Sequence, residues 1–164
     1  MVEIFSDRLE VINPGTPLID TQRFIDEPPQ SRNEILAALM RRLGICEERG
    51  SGIDKAIAAI ELHQLPAPSF VATERHTKVI LYSMQKFADM SRDDRVRACY
   101  QHACLKYVSN ENMTNSSLRE RFSMSKEQYP QISRVIADSM SAGLIKPLDP
   151  NQGRKFAKYI PFWA

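Results

Sequence analysis

The sequence predicts an α+β chain of two units: a small mixed sheet backed by helices, followed by three helices and a hairpin. Three observations carry this reading. Apolar residues alternate at period two around residues 2–11 and 155–160, form a short continuous run at 79–82, and recur at spacings of three and four between them. Charge shifts along the chain: residues 1–90 hold ten Lys and Arg against thirteen Asp and Glu, whereas residues 91–164 hold twelve against seven. The length of 164 residues, with 43% hydrophobic and 26% charged, suits one soluble domain or two small ones. A basic second unit behind an acidic first one points to a polyanionic partner.

Some classes fall away at once. No apolar run approaches the roughly 18 residues of a membrane span, and no basic stretch precedes an apolar core at the N-terminus. Three cysteines do not make a disulfide framework, so a reducing cytoplasm is expected.

The first unit is expected over residues 1–83. Val2 and Ile4, then Leu9 and Val11, alternate around Ser6-Asp7-Arg8 and predict two strands joined by a tight turn. Asn13-Pro14-Gly15 stops the second strand, because proline donates nothing to a ladder. Residues 16–31, with Pro17, Pro28 and Pro29, read as a long loop. Asn33 caps a helix whose stripe is Ile35, Leu36, Leu39, Met40 and Leu43, and Gly44 ends it. Glu48-Arg49-Gly50-Ser51-Gly52-Ile53 leads into a second helix facing inward with Ile53, Ile57 and Ile60, stopped by Pro66 and Pro68. Phe70-Val71 and Val79 to Tyr82 then read as a strand pair with a polar turn near Arg75-His76.

The segment from Val2 to Gly15, then Arg32-Asn33, then Glu48 to Ile53, resembles the C-terminal region of a bacterial and archaeal family catalogued as RecG-related helicases or transcriptional regulators. In that family the region usually follows an AlbA-like DNA-binding domain, so the resemblance implies the C-terminal portion of a longer protein. More weakly, it is similar to the second half of the GHKL ATPase fold of gyrases and histidine kinases. That similarity would place Asp7 at an adenine site and Gly50, Ser51 and Gly52 at a phosphate site, where backbone N–H groups and a helix N-terminus meet the anion. Two departures argue against nucleotide binding: Leu9 stands where the family has glycine, and the earlier helix with the magnesium asparagine and glutamate base is missing. No glycine is followed by lysine, so no P-loop exists to drive a helicase motor.

Residues 84–91 read as a linker, and residues 92–164 as the second unit. A helix from Asp93 points Val96, Cys99, Tyr100, Ala103, Cys104 and Tyr107 inward. Thr114 or Asn115 caps a short helix through Leu118 and Phe122, and Ser125-x-x-Gln128 has capping-box form. The third helix buries Ile132, Val135, Ile136, Met140 and Leu144. Ala142-Gly143-Leu144-Ile145 turns into a strand, and Lys155 to Ile160 returns. This order resembles a winged helix-turn-helix, and the ending from Lys158 to Ala164 resembles the same regulator family.

The winged-helix resemblance implies a third helix entering the major groove of double-stranded DNA, with Lys126, Gln128, Gln131 and Arg134 outward. Glutamine can pair with adenine and arginine with guanine. Arg154, Lys155 and Lys158 of the wing would meet phosphates. Cys99, His102 and Cys104 lack metal-ligand spacing, and no hydrolase signature is present, so neither cofactor nor catalysis is expected. The expected function is a DNA-binding transcriptional regulator, with a front unit for dimerisation or degenerate sensing and a homodimer formed through an exposed sheet edge or helix face. An ATP-binding module and a winged helix used for protein docking are the alternatives.

Overall fold

The structure, a computed structural model, describes residues 1–45, 52–153 and 156–164. Strands β1 (Val2–Ile4) and β2 (Arg8–Pro14) form the predicted hairpin, with Ile4 opposite Leu9 and the Phe5 N–H donating to Arg8 O at 2.8 Å. Strands β3 (Ser69–Ala72) and β4 (His76–Tyr82) form a second hairpin, closed by Thr73 and His76. The four join in the order β1-β2-β4-β3.

Every pairing in this sheet is antiparallel, which corrects the expected mixed sheet. The helical excursion after β2 does not land beside it. It places β3 one position out, parallel in direction to β2, and the tight β3–β4 turn slots β4 between them.

Helix α1 (Glu34–Arg42) starts as expected: the Asn33 side chain accepts from Leu36 N–H at 2.9 Å. It stops at Gly44, whose φ of 69° is left-handed. Its apolar stripe has no cover among the described residues, with Ile35 86% and Leu43 65% exposed. Helix α2 (Gly52–Leu62) instead buries Ile57 completely against the second half of the chain.

The core centres on α3 (Arg92–Val108), begun by a Ser91–Asp94 capping box. Strand β5 (Met113–Thr114), α4 (Asn115–Arg121), α5 (Tyr129–Ser141), β6 (Ile145–Pro147) and β7 (Lys158–Pro161) follow, and the three strands form an antiparallel sheet in the order β5-β7-β6. Cys99, Cys104, Leu118, Ile132 and Ile136 pack with Ile25 and Ile57 of the front half in one apolar cluster.

Burial runs further round α3 than its apolar spacing predicts: Ala98, Gln101 and His102 are buried too. The front half covers that side, with Gln101 donating to Pro68 O at 2.8 Å and Arg97 to Ala67 O at 3.1 Å. The 16–31 loop is likewise pinned. It carries a 3-10 turn at Thr21–Arg23, buries Ile25, and accepts the Tyr100 hydroxyl at Gln22 O.

Three further expectations change. Met140 is 37% exposed rather than buried, because it faces a groove. Tyr107 is half exposed, edge-on to Trp163 at 5.3 Å. The returning strand begins at Lys158, since Phe156 has a φ of 63° and interrupts the extended run.

Candidate functional site

Helix α5 is built to stand proud of the core. Pro130 sits in its first turn, where its missing N–H costs nothing. Ile132, Val135, Ile136 and Ser139 anchor one face, and the Ser139 hydroxyl is satisfied within the helix by Val135 O at 2.8 Å. The opposite face exposes Tyr129, Pro130, Gln131, Arg134, Ala137 and Met140.

The residues singled out in the sequence divide between the two flanks of α5. Gln128, Gln131 and Arg134 line a groove of about 560 Å³ on one side, together with Phe87, Arg92, Arg95 and Asp138. Lys126 and Gln128 precede the helix in a 3-10 turn, and the Gln128 side-chain Oε1 accepts from Ser125 N–H at 2.9 Å. That bond makes Gln128 a cap as well as a surface group. Asp138 is paired with Arg92 at 3.1 Å, so its charge is met within the groove. Arg95 lies over the Phe87 ring and donates to Phe87 O at 2.9 Å.

Lys158 lies on the other flank, in a groove of about 740 Å³ between α4, α5 and β7. Sequence reasoning missed the polar chain that builds it. The Asn115 amide donates to Ser133 Oγ at 3.1 Å, tying α4 to α5. Arg119 donates through Nε to Asn115 Oδ1 at 3.0 Å and through Nη2 to Ser116 Oγ at 3.3 Å. The i,i+4 spacing of Asn115 and Arg119 was the available signal. Tyr129, Ile136, Met140, Phe156 and Tyr159 supply the apolar surface, and no carboxylate is among the described lining residues. The nearby Glu127 carboxyl is held below its usual range by the Ser125 hydroxyl, with a smaller contribution from Arg119. Arg154 and Lys155 lie outside the described residues.

Of the front-half candidates, Asp7 and Gly52 are among the described residues. Asp7 sits in the β1–β2 turn, its carboxylate 3.1 Å from Arg8 and its carbonyl accepting from Ser83 N–H. Gly52 opens α2, and among the described residues nothing lies within 4 Å of where a Cβ would stand. Asp54 occupies the first turn of the same helix, a poor neighbour for a phosphate. Gly50 and Ser51 lie outside the described residues.

A buried polar cluster joins the halves. His102 Nδ1 is 2.8 Å from Glu61 Oε2, and its Nε2 is 3.1 Å from Ser117 Oγ. Arg121 reaches Leu65 O at 2.6 Å and lies 3.4 Å from Glu61 Oε1. The order Ser-His-Glu matches an acyl-transfer triad in distances alone. Ser117 Oγ is engaged with the Thr114 backbone at both N–H and C=O, and no described groove opens onto it. Burial pushes the Cys99 and Cys104 thiols up to about 12, so both are inert. Among the described residues no three His, Cys, Asp or Glu side chains gather as a metal site, and no helix is long and apolar enough to cross a membrane.

Comparison with known proteins gives one match: residues 1–81 match the family described as "Putative ATP-dependent DNA helicase recG C-terminal". The front sheet, α1 and α2 are therefore similar to a helicase-related, ATPase-like region. No curated protein and no solved structure matches the chain.

Proposed function

We propose that the chain is part of a DNA-binding transcriptional regulator, with residues 92–164 acting as a winged helix-turn-helix on double-stranded DNA. The observation that carries this reading is the cationic flanking of the exposed α5 face, with Arg92, Arg95 and Arg134 on one side and Arg119 and Lys158 on the other. The element order supports it: helix, strand, helix, helix and hairpin, with β7 between β5 and β6. In this reading α5 enters the major groove, Arg134 meets a base edge, and Lys158 meets phosphate. The residue 1–83 unit serves as scaffold and homodimer contact, and the chain performs no catalysis.

Fluorescence anisotropy on random and genomic duplexes tests the reading. Lys158→Ala should weaken binding to all sequences and flatten the salt slope by about one unit. Arg134→Ala should cost about 1–3 kcal/mol on the preferred site and much less on random DNA. A flat titration at low salt would favour protein docking instead.

The family match favours a second reading, nucleotide binding by the front half. Calorimetric ATP binding abolished by Gly52→Val would establish it. The acidic Asp54 in the first turn of α2 weighs against it.

A further inference from the structure

The groove between α4, α5 and β7 is not shaped like a surface that only lies on DNA. It is a concavity of about 740 Å³, within the 300–1,000 Å³ typical of small-molecule sites. Its floor is apolar, formed by Ile136, Met140 and Tyr159. Its polar groups gather at the cationic Arg119 and Lys158, and among the described lining residues none is acidic, Glu127 acting on Arg119 from outside the lining. Arg119 is held by Asn115 and Ser116, bonds that use only two of its five N–H donors. The Asn115–Ser133 bond holds the two walls at a fixed separation.

We propose that this groove binds a small organic carboxylate with an apolar aryl or acyl body. The carboxylate meets Arg119 and Lys158, and the body lies against Met140 and Tyr159. Charge complementarity favours the anion: Arg119 and Lys158 stand beside an apolar floor, and although Glu127 outside the lining acts on Arg119, no carboxylate is among the described lining residues, so an ionised ligand gains charge-assisted bonds that a neutral one does not. Such a ligand takes Lys158 away from phosphate and fills the space beside α5, so it acts as an effector that releases DNA. This last clause rests on the DNA-binding reading; the binding site itself does not.

The test uses the full chain without DNA, with phenylbutyrate as probe and phenylbutanol as its uncharged counterpart. NMR titration should shift signals of Ser133, Met140 and Tyr159 with phenylbutyrate, and far less with phenylbutanol. Lys158→Gln should weaken phenylbutyrate binding about tenfold and leave phenylbutanol unchanged. Met140→Glu should abolish phenylbutyrate binding while the melting temperature stays near wild type. Equal binding of acid and alcohol, shifts elsewhere on the chain, or no shifts at millimolar probe would each overturn the site. Binding at the groove with no displacement of a bound duplex would overturn the effector role alone. Absence of any duplex binding would overturn the DNA reading and leave the carboxylate site standing.

Discussion

Glu10 shows how one side chain can fasten a small sheet. It is buried on β2, and its carboxylate takes Arg8 Nε at 2.7 Å and Lys78 Nζ from β4 at 2.6 Å. The Arg8 hydrogen bond, then that of Lys78, holds the Glu10 carboxyl below its usual range. A carboxyl depressed in the folded state stabilises above its unfolded value, and the gain is lost as pH falls through the folded value. The wild type should therefore lose melting temperature steeply below about pH 4.5, and Glu10→Gln should show a shallower acid limb and a lower plateau at neutral pH. Thermal denaturation followed by circular dichroism from neutral pH downward checks this, and parallel acid limbs would remove Glu10 from the account. Asp94 behaves differently: burial alone would raise its carboxyl, but hydrogen bonds from Ser91 and Arg97 prevail and lower it. It belongs to a helix cap rather than to a sheet staple.

At the scale of elements, α1 stands apart, because its apolar stripe faces outward. Leu36 and Leu39 are each about half exposed, so little folding free energy depends on them. Leu36→Glu with Leu39→Glu should leave the melting temperature within a degree or two of wild type, as expected for surface substitutions worth roughly 0.5 kcal/mol or less each. If α1 forms the homodimer contact, light scattering should show the variant as a monomer and the wild type as a dimer. A monomeric wild type would end the dimer reading. The stripe also marks what a sequence can and cannot disclose. Both hairpins, the Asn33 cap and the Thr114 and Ser125 capping signals were legible, because each depends on residues within a few positions of one another. Periodicity placed the stripe on α1 but carried no information about what would cover it. The converse holds for α3, where Gln101 and His102 are buried by segments 33 and 41 positions away. The layout of the candidate site was hidden in the same way: Lys158 and Arg134 lie on opposite flanks of α5, a separation that only the packing of α4 and β7 against it decides.

At the scale of the whole molecule, the two halves are tied through polar groups that neither could bury alone. Arg121 on α4 is 6% exposed, with Glu61 of α2 3.4 Å away and Leu65 O at 2.6 Å. Burial lowers the Arg121 guanidinium from its usual range, against the opposing pull of Glu61. Glu61 is shared with His102, and Ile25 and Ile57 enter the cluster built on α3. Removing one member of such a buried pair leaves the other charge uncompensated, which typically costs about 3–5 kcal/mol. Arg121→Ala should lower stability by that order, and Arg121→Met by less, because methionine refills the volume. Urea unfolding gives a stricter outcome. Trp163 reports the back half where it meets the front, from its place beside Tyr107 of the one and Arg23 of the other, and far-ultraviolet circular dichroism reports both halves. In the wild type the two probes should trace one transition, since a shared core gives neither half a stable boundary of its own. In Arg121→Ala the midpoint should fall while the probes still coincide, because Ile57 and Ile25 remain as apolar ties. Two separated wild-type transitions would show that the front sheet and the helices around α3 fold independently, and the Glu61–His102–Arg121 cluster would then be an interface between two self-sufficient domains.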